Sequence, residues 1–173
     1  MKKAVSSAAA PASVATLSAR LPRTVAWLGY GGLLPFAALA LLLWLEPARG
    51  AALWWPALLA YGAVILSFVG ALHWGFAIAL PGLDAASRQG LYVWSVVPAL
   101  VAWPALLWAA PGAAVLLVAG FALHWLQDRR LVAQGAATAL PAWYLPLRTQ
   151  LTLVASVSLL AGAGVVAARA GGG

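Results

Sequence analysis

Histidine occurs twice in the 173-residue chain, and both copies stand in the same tetrapeptide, Ala71-Leu-His-Trp74 and Ala122-Leu-His-Trp125. Each lies inside a long run without charged side chains. Imidazole binds metals and moves protons near neutral pH, and an ionisable group inside an apolar span is costly enough to be a functional hypothesis by itself. Two histidines on separate helices point to axial ligation of a haem iron by His73 and His124, in a haem-binding accessory of membrane electron transfer. Haem is the alternative reading; the leading one makes both imidazoles structural, hydrogen-bonded to backbone or to a neighbouring helix in a lipid- or partner-binding scaffold without a cofactor. In that case glutamine at position 73 should be milder than leucine.

Other chemistry is thinly represented. Glu46, Asp84 and Asp128 are the only acids and all fall at the ends of apolar runs, so no carboxylate is expected deep in the bundle for a proton relay or cation site. Cysteine is absent, which excludes disulfides, thiolate metal sites and cysteine nucleophiles. Neither a zinc-protease spacing nor a Ser-His-Asp set is visible. No catalytic residue and no metal ligand beyond haem iron is assigned, and the chain reads as a binding protein rather than an enzyme.

The elements that must position these residues are transmembrane helices. Hydrophobic side chains make up 65% of the chain and charged ones 8%. The intervals between Arg23 and Glu46, Arg49 and Asp84, Arg88 and Asp128, and Arg148 and Arg169 contain no charge. A span needs about 20 apolar residues. The interval from Gln89 to Gln127 would make a helix of about 58 Å, far longer than a bilayer is thick, so it must fold back at Pro111-Gly112. Five spans follow: Thr24–Leu45, Ala52–Leu80, Gly90–Ala110, Ala113 to about Leu131, and Thr149–Ala168. The fold class is an all-α polytopic membrane protein. Residues 1–23 form a disordered basic cytoplasmic tail, and residues 24–169 form one five-helix domain.

A net charge of +7 does not mark a nucleic-acid partner here, because the basic residues flank spans instead of clustering on one face. They report orientation. Lys2, Lys3, Arg20, Arg23, Arg88, Arg129, Arg130 and Arg148 fall on one side of the five-span arrangement, and Arg49 and Arg169 on the other. Positive charge is retained inside, so the N-terminus is cytoplasmic and the C-terminus outside. Most tryptophans, Trp27, Trp94 and Trp143 among them, fall near the interfaces where indole anchors a helix. The segment from Leu140 to Arg148 carries Pro141 and Pro146. It reads as an interfacial stretch anchored by Trp143, Tyr144 and Arg148.

Helix packing is expected on the second span. Ser67, Ala71 and Gly75 recur every four residues as a small-residue stripe, and Gly70 shares the His73 face. Small residues on two faces place this span at the centre of the bundle. The partners implied are the lipid bilayer and another membrane protein or a second copy, with no nucleic acid.

Five segments carry a family resemblance: Leu28-Gly-Tyr-Gly-Gly-Leu-Leu-Pro-Phe36, Tyr61 through Ser67-Phe-Val-Gly-Ala-Leu-His-Trp-Gly75, Trp94-Ser-Val-Val-Pro-Ala-Leu100, Pro141-Ala-Trp-Tyr144, and Leu147-Arg148. Together they resemble the bacterial relatives of transmembrane protein 69, from about Trp27 to Leu160. The resemblance implies a multi-pass protein of bacterial inner membranes, with the mitochondrial inner membrane as the lesser alternative, and a domain of unknown function. It supplies no activity and no catalytic residue.

Overall fold

The computed structural model of the protein describes residues 20–46, 50–108, 110–133 and 140–171. The tail expected at 1–23 lies outside the described residues except for its last four positions. The fold is all-α. Helices α1 (Arg23–Gly31) and α2 (Leu34–Leu45) precede a π-helical turn at Gly50–Trp54, and α3 (Trp55–Ala79), α4 (Ala85–Trp108), α5 (Pro111–Ala133) and α6 (Tyr144–Ala170) follow.

The first span is two helices, not the single Thr24–Leu45 helix expected. Pro35, at the start of α2, cannot donate a backbone hydrogen bond and crowds the carbonyl four residues back. The chain therefore breaks at Gly32-Leu33, and the Tyr61 hydroxyl on α3 donates to the Gly32 carbonyl at 2.8 Å. The α3–α4 turn follows Pro81 and uses Gly82 at φ +73°, a left-handed conformation that suits glycine. Helix α6 starts five residues earlier than expected. Pro146 lies in its first turn, where backbone N–H groups have no helical partner to lose.

Among the described residues, four segments are long and apolar enough to cross a membrane: Arg23–Leu45, Ala52–Ala79, Ala85–Trp108 and Tyr144–Ala170. Helix α5 does not qualify, because His124, Gln127, Asp128, Arg129 and Arg130 dilute its second half. The bundle surface is nevertheless apolar, with Trp44, Phe68, Ile78, Leu100, Trp103, Val115 and Val157 all exposed. A soluble monomer does not leave so much apolar surface uncovered. This is a polytopic membrane protein.

Helix α3 packs against α2, α4, α5 and α6 and is the central rod, as its two small-residue faces predict. Only one of those faces is used within the chain. A Cβ on Gly70 would lie 2.8 Å from the Pro98 ring and 3.0 Å from the Ser95 carbonyl, so α3 and α4 meet where a side chain is missing. The Ser67, Ala71, Gly75 stripe behaves differently: Ala71 and Gly75 are exposed, and a Cβ on Gly75 would meet nothing within 4 Å. As an intramolecular packing stripe it is corrected. The core on the used face is built from Phe36, Leu43, Leu58, Leu66, Leu117, Phe121 and Leu159.

Candidate functional site

Beyond that apolar core, toward the turn after α3 and the start of α6, the interior becomes polar. His73 lies on the Gly62, Gly70, Ala77 face of α3, and all four are buried. On α5 the same helical spacing runs through Leu117, Gly120, Phe121, His124 and Asp128, every one buried. Advancing four residues from His124 keeps Asp128 on the same face, one turn further on. Helix α6 adds Tyr144 and Arg148, again four apart and both buried. Three helices thus turn a polar residue pair or a single histidine toward one point.

Asp128 is the hub. Its side chain is fully buried and accepts from Arg148 Nε at 2.9 Å on Oδ2 and from the Tyr144 hydroxyl at 3.0 Å on Oδ1. His73 Nε2 stands 3.6 Å from Oδ1, and His124 Nε2 4.0 Å. The two imidazoles meet edge to face with centroids 4.7 Å apart. Phe76 closes the side between His73 and Tyr144, at 5.5 and 5.6 Å from their rings. From α4, Trp94 Nε1 donates to His124 Nδ1 at 3.2 Å. Since indole nitrogen only donates, Nδ1 must be the unprotonated nitrogen of a neutral His124 and Nε2 must carry its hydrogen.

This overturns the expectation that no carboxylate reaches the interior. Asp128 looked like a helix-end residue because Arg129 and Arg130 follow it directly, yet those two are exposed while Asp128 turns inward. Tyr144 and Arg148 are likewise not interface anchors: the first is held by the buried carboxylate and the second neutralises it. Trp143 is half-buried just ahead of α6. Trp94, expected near the interface from its position, is the hydrogen-bond partner of His124. Burying the Asp–Arg pair is tolerable because each charge has its counter-charge and Asp128 gains a further hydrogen bond from Tyr144.

Several buried polar atoms find no partner among the described residues: both ring nitrogens of His73, Nε2 of His124, Nη2 of Arg148 and Oγ1 of Thr152. The Val69 carbonyl approaches the His124 ring without completing a hydrogen bond to Nε2. His73, His124 and Asp128 bring one ligand-type atom each to within 4.8 Å of one another. Haem does not fit this arrangement. Two axial imidazoles must stand on opposite faces of the macrocycle, whereas these rings already touch and leave no slot between them.

Arg148 and Thr152 also line a second feature, a cleft of about 110 Å³ walled by Leu33, Phe36, Ile65, Val69 and Phe121. It runs between the α1–α2 break, α3, α5 and α6.

A multi-helix membrane bundle with a charged centre buried between its helices is the class that fold and site define. Residues 21–164 match the family described as Protein of unknown function (DUF3429), and the chain belongs to that family. It is 37% identical over 146 residues to a protein named Transmembrane protein 69 from Xenopus tropicalis, covering 80% of this chain and 53% of that protein. The chain thus spans about half the length of this curated relative. No solved structure matches it.

Proposed function

We propose that the protein is a non-enzymatic lipid-binding bundle of the bacterial cytoplasmic membrane, crossing it five times with the N-terminus inside. The observation that carries this reading is the apolar cleft beside the charged centre, lined in part by Arg148 and Thr152, whose Nη2 and Oγ1 are buried with no partner among the described residues. Asp128 cancels the charge of Arg148, so the side chain offers donor capacity rather than net charge to a ligand. A neutral acceptor on an apolar body fits, and the ester carbonyl at the head of a lipid acyl chain is such a group. Eight basic side chains on one side against two on the other support the orientation. The fifth crossing is α5, whose buried Asp128 is paired inside the bundle and whose Arg129 and Arg130 can snorkel.

Native mass spectrometry of the detergent-extracted protein tests the reading. We expect a diacyl lipid to be retained, and retained less by Thr152→Val, which removes one hydroxyl, and by Ile65→Trp, which fills the cleft. Equal retention in wild type and both variants would sink it. A partner-binding reading rests on a different observation, the Ser67, Ala71, Gly75 stripe of α3, in which Ser67 is half-buried and Ala71 and Gly75 are exposed. Small residues facing lipid suit a second helix backbone, and a mass measured in detergent at twice the chain, reduced to one chain by Gly75→Leu, would support it.

A further inference from the structure

We propose that His73, His124 and Asp128 form a first-row transition-metal site inside the bundle, taking one divalent ion of the zinc type. The donors define the class of ion. Two imidazole nitrogens and one carboxylate oxygen suit zinc, iron, nickel or copper, whereas magnesium and calcium call for oxygen ligands throughout.

Spacing separates an ion from a bridging water. Two ligands each about 2.1 Å from one ion stand about 3.4 Å apart at the tetrahedral angle. Two polar atoms sharing a water through hydrogen bonds of about 2.8 Å stand about 4.5 Å apart. Asp128 Oδ1 lies 3.6 Å from His73 Nε2 and 4.0 Å from His124 Nε2. The first separation sits close to the metal geometry, and the second falls about midway between the two.

Burial points the same way. His73 is fully buried with neither ring nitrogen partnered among the described residues, and Nε2 of His124 shares that state. A buried polar group left unpaired loses its hydration with no return, and one ion held between Asp128 Oδ1 and the two Nε2 atoms would relieve both of those nitrogens. The surroundings supply the outer support that metal sites use to fix their ligands: Arg148 Nε holds Oδ2, and Oδ1, which also accepts from the Tyr144 hydroxyl, faces the histidines. Ligation through Nε2 requires the proton of His124 to leave that nitrogen. It passes to Nδ1, and the Trp94 hydrogen bond is given up as the ion binds.

The test uses the full chain in detergent, without a polyhistidine tag and after chelator treatment, titrated with Co²⁺ and then Zn²⁺. We expect one Co²⁺ per chain, with the visible absorption of a nitrogen- and oxygen-ligated ion that Zn²⁺ displaces. His73→Leu and His124→Leu should each weaken binding by at least about 100-fold, since outer partners alone are worth about 10–100-fold. His73→Leu loses no protein hydrogen bond and should fold, so it keeps the test decisive if His124→Leu does not. Absence of the absorption in wild type, or undiminished binding by His73→Leu, would overturn the proposal.

Discussion

Ala71-Leu-His-Trp74 and Ala122-Leu-His-Trp125 are the same four residues in different company. Both histidines are fully buried. His73 has a glycine three residues before it and an alanine four after; His124 has Phe121 and Asp128 at those positions. Trp74 is half-exposed and leans edge-on against Tyr92 at 5.0 Å. Trp125 instead donates to the Thr149 hydroxyl at 2.9 Å and carries Arg129 over its ring. The shared letters set depth and burial, while the residue one turn later decides the chemistry. On α5 that residue is an acid, and the charged centre assembles around it.

The largest effect should come from removing that difference. Asp128→Ala makes the second copy resemble the first and strands Arg148 and the Tyr144 hydroxyl in the interior. Uncovering one partner of a buried pair costs about 3–5 kcal/mol. Asp128→Leu combined with Arg148→Met should recover most of the loss, because no uncompensated charge remains. Unfolding in detergent measures both, and an Asp128→Ala protein as stable as wild type would show that the second copy needs no acid.

The residue preceding each tetrapeptide is the next point of contrast. Gly70 admits Pro98, whereas Phe121 fills core space against Phe36. Gly70→Ala should cost about 1–3 kcal/mol, the usual range for overpacking, because a proline ring and a backbone carbonyl are the atoms in the way. Gly75→Leu, two residues beyond His73, should cost little in the monomer, since its Cβ meets open space. Gly82→Leu should cost more than Gly75→Leu, because a left-handed backbone is strained for leucine by about 1–2 kcal/mol. That order reverses what the small-residue stripe alone implies. Melting temperatures of the three variants check it.

The histidines themselves differ in what they would leave behind. In metal-free protein His124→Leu strands the Trp94 N–H, a loss of about 0.6–2 kcal/mol for one hydrogen bond in a membrane protein. His73→Leu should be neutral or slightly stabilising, because no protein group loses a hydrogen bond. Glutamine at 73 should then be no milder than leucine in metal-free protein, there being no hydrogen bond for glutamine to replace. A His73→Leu protein less stable than His124→Leu without metal would show that a partner of His73 has been missed.

The helical runs, the central place of α3 and a chain reversal close to Pro111-Gly112, which itself opens α5, were legible because uncharged runs and proline-glycine pairs are local signals; the break at Gly32-Leu33 was not. The site was half legible. His73 and His124 stand out by rarity, but Asp128, followed by Arg129 and Arg130, resembles a helix end. Reading the i, i+4 step from His124 to Asp128 on the Gly120 face would have found it. Tyr144 and Arg148 were misplaced because Pro141 and Pro146 looked like breaks, although a proline in a first turn breaks nothing. Trp94 could not be assigned by composition, since an indole beside an interface and an indole bonded to a histidine have the same sequence signature.

Asp84 and Asp128 make the smallest and last contrast, two acids that both resemble helix ends while only one is. Asp84 is exposed, precedes α4 and accepts from the Ser87 backbone N–H at 2.7 Å. That hydrogen bond favours the ionised form and holds its carboxyl below the usual carboxylate range. With the folded value below the unfolded one, the stabilisation is complete above the unfolded pKa, about 4, and is lost as pH falls through the folded value. Asp84→Asn keeps an acceptor suited to the start of a helix but has no carboxylate to protonate. Wild type should therefore lose ground relative to Asp84→Asn as the pH is lowered from 6 to 3, a small shift because the group is fully solvated. A stability gap between the two that stays constant over that range would show that Asp84 does not couple folding to pH.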